Sequence, residues 1–265
     1  MRFTYRNPIL SCLLVSALLT ACNNKAPKET EETMDTMPTD TPNMLSEAEK
    51  NEGFELLFDG KTLDGWHGFQ KDTLSPDWKV EDGAITLDMA YNPDSSRQYA
   101  SLQSDLVTDQ DFGDFELQME WKISPCGNSG IIYRSVEEEK YHATYVTGPE
   151  MQVLDDDCHP DGKIEKHRSS DLYDLVTANP RPVKPVGEWN QVKLVAKGNH
   201  IEHWLNGEKV VDIEMGTDEW NKMVQNSKWK EHAEYFAKAK KGHIALQDHG
   251  NRVWFRNIKI RKIEG

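Results

Sequence analysis

Phe115-Glu116-Leu117-Gln118-Met119-Glu120-Trp121-Lys122-Ile123 decides the fold class. Apolar and polar residues alternate along the whole run. Successive strand residues point to opposite faces, so this segment reads as a strand with one buried side and one wet side. The same signal recurs on either side of it. Trp78–Glu81 and Ala84–Leu87 flank Asp82-Gly83, a hairpin signature. Ile131-Ile132-Tyr133-Arg134 follows a Gly-rich turn. Residues 191–196, 201–205 and 208–213 read as a meander, closed by Lys197-Gly198-Asn199 and Asn206-Gly207. Residues 242–246 and 252–263 complete the strand set. One stretch, about 217–241, departs from this pattern. Thr217 as N-cap, with Asp218 and Glu219 in a first turn, predicts one or two helices there. The fold class is therefore all-β, a β-sandwich with one helical insertion on its outside.

The N-terminus reads as a targeting segment. Arg2 and Arg6 precede a short apolar run over 9–19, too short to span a bilayer. Leu19-Thr20-Ala21-Cys22 then has the form of a lipobox, which predicts cleavage before Cys22 and lipidation of that residue. Residues 1–21 are thus a lipoprotein signal peptide. Residues 22–52, rich in Thr, Glu, Pro and Lys, read as a flexible tether. The folded domain is expected over 53–265. No acidic run follows Asn23 to mark inner-membrane retention. The expected location is the outer membrane, facing the periplasm, with surface display as the alternative.

Roughly 210 residues remain for the domain, enough for one sizeable core. The chain carries 31 Lys and Arg against 45 Asp and Glu, a net charge of −14. That argues against a nucleic-acid partner, whose phosphates need a basic footprint. Eight Trp and eight Tyr suit a sugar cleft and equally suit a sandwich core. Of four cysteines, Cys12 leaves with the signal peptide and Cys22 takes the lipid. Cys126 and Cys158 remain in an oxidising compartment, and a disulfide between them is expected.

Several segments can carry chemistry. Gln247-Asp248-His249-Gly250 sits between two apolar runs, where a core-building turn would hold only small polar residues. Alternation in Glu150-Met151-Gln152-Val153-Leu154 puts Glu150 and Gln152 on one face. Only one carboxylate lies on that face, whereas retaining glycosidases need a pair about 5 Å apart. Asp155-Asp156-Asp157, with His159 and Asp161, reads as a divalent cation site or as a solvated acidic loop. His167, Arg168, Asp171 and Tyr173 extend that loop. Asn128 and Ser129 put small polar groups at a strand start, and Arg134 lies further along as a ligand group or a strand-end cap. His203 alternates with Ile201 and Leu205, as a core residue or as part of a concave floor. Arg256 could pair with Glu150 or reach a substrate oxygen.

Residues 53–66, from Gly53-Phe54-Glu55-Leu56-Leu57-Phe58-Asp59-Gly60 to Gly65-Trp66, add a family resemblance. So do Gly127-Asn128-Ser129-Gly130-Ile131, the Glu150 strand, Leu172-Tyr173-Asp174-Leu175, Gly187-Glu188-Trp189-Asn190 and the Gln247 segment. In this order they resemble the 3-keto-disaccharide hydrolase domain family, over about 53–263. The resemblance implies the jelly roll of concanavalin-like lectins and glucanases. It also implies a substrate, a glycoside or disaccharide already oxidised at C3, and hence a place downstream of a glycoside 3-dehydrogenase.

The C3 carbonyl acidifies the C2 proton. The glycosidic bond can then break by elimination, with water adding afterwards. This needs a base and a group to meet the enolate, not a carboxylate pair. The expected catalytic residues are Glu150, His203 and His249, with His249 or Glu150 as base. Asn128, Arg134, Gln152, Asp155, Tyr173, Gln247, Asp248 and Arg256 are expected at the substrate, and Arg256, Gln247 or a metal at the enolate. A non-catalytic carbohydrate-binding lipoprotein and an ordinary glycoside hydrolase are the alternatives.

Overall fold

The computed structural model describes residues 41–88 and 104–263. The expected signal peptide, the Cys22 lipidation site and most of the tether lie outside these residues. Thirteen strands are present among the described residues: β1 (Glu55–Leu56), β2 (Trp66–Gly68), β3 (Trp78–Glu81), β4 (Ala84–Leu87), β5 (Leu106–Thr108), β6 (Phe115–Ile123), β7 (Asn128–Ser135), β8 (Glu150–Leu154), β9 (Asn190–Lys197), β10 (His200–Leu205), β11 (Glu208–Glu214), β12 (His243–Leu246) and β13 (Val253–Lys262). Two helices join them, α1 (Glu47–Asn51) and α2 (Asp218–Gln225).

The strands form two antiparallel sheets, the sandwich expected of a jelly roll. One runs β11-β10-β9-β6-β13-β4-β3, with β1 also on β13, and the other β2-β5-β12-β7-β8. The period-2 strand β6 is central in the larger sheet, between β9 and β13. Its Phe115, Leu117, Met119, Trp121 and Ile123 are buried in the main core. Ile131, Tyr133, Met151, Val153, Ile244 and Leu246 of the smaller sheet meet them there. Burying each such side chain contributes roughly 1.5–3 kcal/mol.

Turn chemistry sets the registers. Asp82 and Gly83 both adopt positive φ, 50° and 73°, as a two-residue hairpin between β3 and β4 requires. The two C-terminal runs fall in different sheets. β12 belongs to the smaller sheet and β13 to the larger. Gln247 to Asn251 therefore crosses from one layer to the other, and carries its polar side chains over the sandwich edge.

Two further segments depart from their expected roles. The end of the tether is ordered. Asn43 accepts from the Asn257 amide at 2.9 Å, and Ser46 and Glu49 close a capping box on α1. Glu49 also pairs with the buried Lys259 of β13. The helical insertion does more than cover the outside. Trp220, Trp229 and Phe236 are buried in the core, with Trp229 stacked on Phe236 at 4.7 Å between ring centres. This packing brings Lys228 to the site described next.

Candidate active site

A cavity of about 400 Å³ is lined by Glu150 and Gln152 of β8, Asn128 of β7 and Gln247-Asp248-His249 after β12. These residues lie on the side of the smaller sheet turned away from the core, because alternation sends Ile131, Met151 and Val153 inward. Phe69, Gln70, Lys71, Asp105, His142, Tyr145, Tyr173 and Lys228 complete the wall.

Glu150 lines the cavity and is only 3% exposed. Burial raises its pKa to about 7. Lys228 and the Gln247 side chain, which hydrogen-bonds to it, oppose that rise, and Asp105 and Asp161 add to it. His249 is half-buried, and desolvation with the nearby His159 lowers its pKa. The lowered pKa favours the neutral imidazole, which accepts at one ring nitrogen and donates from the other. Asn128 Oδ1 and Gln247 Oε1 are buried without a protein partner, so two acceptors stand ready for ligand hydroxyls.

The other two carboxylates in the wall are already occupied. Asp105 accepts the Asp248 amide at 2.9 Å and the Thr144 hydroxyl. Asp248 accepts the amides of Gly250 at 3.0 Å and Ser104 at 3.3 Å. Asp248 thus shapes the wall through backbone contacts. Gln152 Oε1 likewise accepts the Val153 amide at 3.0 Å. Tyr173 presents its ring, while its hydroxyl donates to Asp161 at 3.0 Å.

Four expected site residues lie elsewhere. His203 is fully buried on the inner side of β10, in the opposite sheet. Its Nδ1 meets the Ser170 carbonyl at 3.2 Å and its Nε2 the Tyr133 hydroxyl at 3.1 Å. Burial drops its pKa to about 4. It is a satisfied core histidine, not a catalytic group.

Arg256 stands opposite Glu120 in the β13–β6 register and bonds it at 2.7 Å, with its guanidinium over Trp189. That is the outer face of the larger sheet, out of reach of Glu150. Arg134 adopts φ 52° near a register shift between β7 and β12. Its guanidinium turns to the carbonyls of Gly113 and Gly198 and to Asp114, and ties two turns together.

Asp155 accepts the amides of Cys126 at 2.7 Å and Asp157 at 3.2 Å. It braces the Cys126–Cys158 disulfide, whose Cα atoms are 4.7 Å apart. In the rest of the acidic loop Asp156 Oδ1 accepts the Ser169 amide and His159 Nδ1 the Asp161 amide, while Asp156 Oδ2 is buried without a hydrogen-bond partner.

Of the residues singled out in the sequence, Glu150 and Gln152 (from alternation), Asn128 (from the strand-start turn), Tyr173 (from the polar loop) and Gln247, Asp248 and His249 line the cavity. Lys71, Asp105, His142, Tyr145 and Lys228 went unnoticed. They come from loops and the helical insertion, where no periodicity marks the direction of a side chain.

Comparison with known proteins places the chain among relatives. A family profile described as 3-keto-alpha-glucoside-1,2-lyase-like domain matches residues 53–261. A Bacteroides thetaiotaomicron protein named 3-keto-disaccharide hydrolase is 32% identical, across 96% of this chain and 98% of its own length. A Parabacteroides distasonis crystal structure of a candidate glycosyl hydrolase superposes with a TM-score of 0.75. It is 33% identical, covering 84% of this chain and all of that one. A second structure from the same species has a TM-score of 0.59 at 27% identity, covering 79% of this chain and 99% of that one.

Proposed function

Because the chain belongs to the 3-keto-alpha-glucoside-1,2-lyase-like domain family, we propose that it is a carbohydrate hydrolase acting on 3-keto-glycosides and 3-keto-disaccharides. Cleavage proceeds by removal of the C2 proton and elimination of the C1 substituent. The observation that carries this reading is the state of Glu150. It is a buried carboxylate with its pKa raised to about 7, a value suited to a general base at neutral pH. Neighbouring Asp105 and Asp248 are held by backbone and hydroxyl donors.

In the proposed sequence Glu150 takes the C2 proton. The C2–H electron pair forms a C2=C3 bond, and the carbonyl pair moves to O3. The enolate then collapses, C1=C2 forms, and the C1–O bond breaks with its electrons leaving on the aglycone oxygen. The proton taken by Glu150 passes to this oxygen through the neutral imidazole of His249, which accepts at one ring nitrogen and donates from the other. Water adds to C1 of the unsaturated ketone, and the net result is hydrolysis. Gln247 steadies the Glu150 carboxylate, and the open oxygens of Asn128 and Gln247 accept sugar hydroxyls. The test is to compare a 3-keto-glucoside with its unoxidised parent. Cleavage of the 3-keto compound alone supports the reading. Equal cleavage of both returns the ordinary glycosidase.

The substrate chemistry also implies an upstream glycoside 3-dehydrogenase. Attachment to the outer membrane through a lipidated Cys22, facing the periplasm, is a further proposal supported by Leu19-Thr20-Ala21-Cys22. Among the described residues no helix is long and apolar enough to cross a membrane.

A further inference from the structure

Proton abstraction beside a ketone places negative charge on O3, and that charge must be met in a partly dried cavity. The sequence offered Arg256, Gln247 or a metal for this task. Arg256 is on the far face of the other sheet, and the Gln247 amide is bonded to Glu150. Two cations line the cavity, Lys71 and Lys228. The charge of Lys71 acts on Asp105 and Asp248, at the wall formed by the β5 and β12 ends. Lys228 is the largest charge partner of Glu150.

The placement of Lys228 is built from several directions. Ser227 caps the short helical turn Lys228–His232 by accepting the Trp229 amide at 3.1 Å. The Lys228 amide donates to Asp174 Oδ2 at 2.7 Å. The Trp229 indole donates to the Tyr173 carbonyl at 3.2 Å. Lys228 is exposed as a residue, yet its Nζ lies 3.9 Å from the Tyr173 ring centre, 4.6 Å from Trp229 and 5.9 Å from Tyr145. Aromatic faces attract an ammonium and replace part of its water. The pKa of Lys228 is lowered by this desolvation, while Glu150, Asp174 and Asp161 work to keep it charged.

From this arrangement we infer that Lys228 is a catalytic residue, the ammonium that holds O3 of the substrate and stabilises the enolate formed when Glu150 takes the C2 proton. The inference rests on the elimination reading above. Base and cation then act on adjacent atoms of one sugar, Glu150 at C2 and Lys228 at the C3 oxygen. Lys228 forms no covalent bond. It donates a hydrogen bond to the ketone that strengthens as the oxygen gains charge.

The test uses the full chain with a 3-keto-glucoside and the variants Lys228→Met and Lys228→Arg. Methionine keeps an unbranched apolar stem over the rings and removes the charge. Lys228→Met is expected to lower kcat by about 10²–10³, as for loss of an oxyanion donor, with KM changed little. C2 exchange should fall in step, and added ethylammonium should restore part of the rate. Lys228→Arg should retain more activity than Lys228→Met. A Lys228→Met enzyme with kcat within about threefold of wild type, or with its loss confined to KM, overturns the inference. A deficit that no ammonium relieves, together with a lowered melting temperature, also overturns it, as does borohydride trapping of sugar on Lys228. Failure of wild type to exchange C2 or to cleave the 3-keto substrate would instead remove the elimination reading itself.

Discussion

Gly130 lies directly beneath the Glu150 carboxylate: a Cβ at that position would overlap the carboxyl carbon and one of its oxygens. The two residues are diagonal neighbours on adjacent strands, Gly130 pairing with Gln152 and Ile132 with Glu150. The missing side chain makes the space in which the carboxylate is buried and its pKa raised. Gly130→Ala should therefore displace the base without touching its chemistry, and cost on the order of 10² in kcat, as small misplacements do. Glu150→Gln should cost about 10²–10⁴. Steady-state kinetics on a 3-keto-glucoside checks both. A Gly130→Ala enzyme with wild-type kcat would mean that the carboxylate position is unimportant.

The pH dependence follows from the same group. Glu150 is a base only when ionised, and its pKa is raised to about 7. The value of kcat/KM should rise with pH up to about 7 and then level. Stability should move the other way. The folded state keeps a proton on Glu150 that the unfolded chain releases near 4.5. Asp105 and Asp171, both raised to about 6 by burial, behave alike. Their contribution to stability is complete below the unfolded values and is lost as pH rises through 6–7. Urea melts of wild type and Glu150→Gln across pH 4.5–7.5 read this, with the shallower slope expected for the variant.

His203 and Arg256 separate structure from catalysis. His203→Ala leaves the Tyr133 hydroxyl without its partner and should destabilise the fold by roughly 1–3 kcal/mol. Its kcat per folded molecule should stay near wild type. Since burial holds His203 near pKa 4, below its unfolded 6.5, its contribution is full above 6.5 and is lost as pH falls toward 4. Arg256→Ala should likewise spare kcat. A hundredfold loss of kcat in either variant, at full folding, would return that residue to the site.

The cysteines give two separate tests. Cys126 and Cys158 close a loop of sequence separation 32, and removing the link should cost about 2–4 kcal/mol. Reduction followed by a chemical melt measures it. Cys22→Ala should move the protein out of the membrane fraction, and a variant still pelleting with membranes would count against the lipobox.

Periodicity carried most of the fold. The alternation of β6 and the Asp82-Gly83 turn correctly placed a sandwich, and the β8 pattern put Glu150 and Gln152 together on one face. Periodicity says which residues share a face, but not which sheet the face belongs to. Arg256 and His203 were misplaced for that reason, since β10 and β13 both lie in the sheet opposite Glu150. Lys228 was invisible for a different reason. Its role depends on Trp229, Tyr173 and Tyr145 gathering around it from distant segments, and one lysine in a charged insertion carries no local sign of such a cage.

The central claim is that Glu150 removes the proton from C2, and the direct measurement is hydrogen exchange at that carbon. Wild type and Glu150→Gln are incubated with a 3-keto-glucoside in D₂O, and C2 of recovered substrate and product is read by NMR. The account predicts deuterium at C2 with wild type, and exchange and cleavage both slowed about 10²–10⁴-fold in the variant. Product whose C2 keeps its original hydrogen, or undiminished exchange in Glu150→Gln, would contradict it.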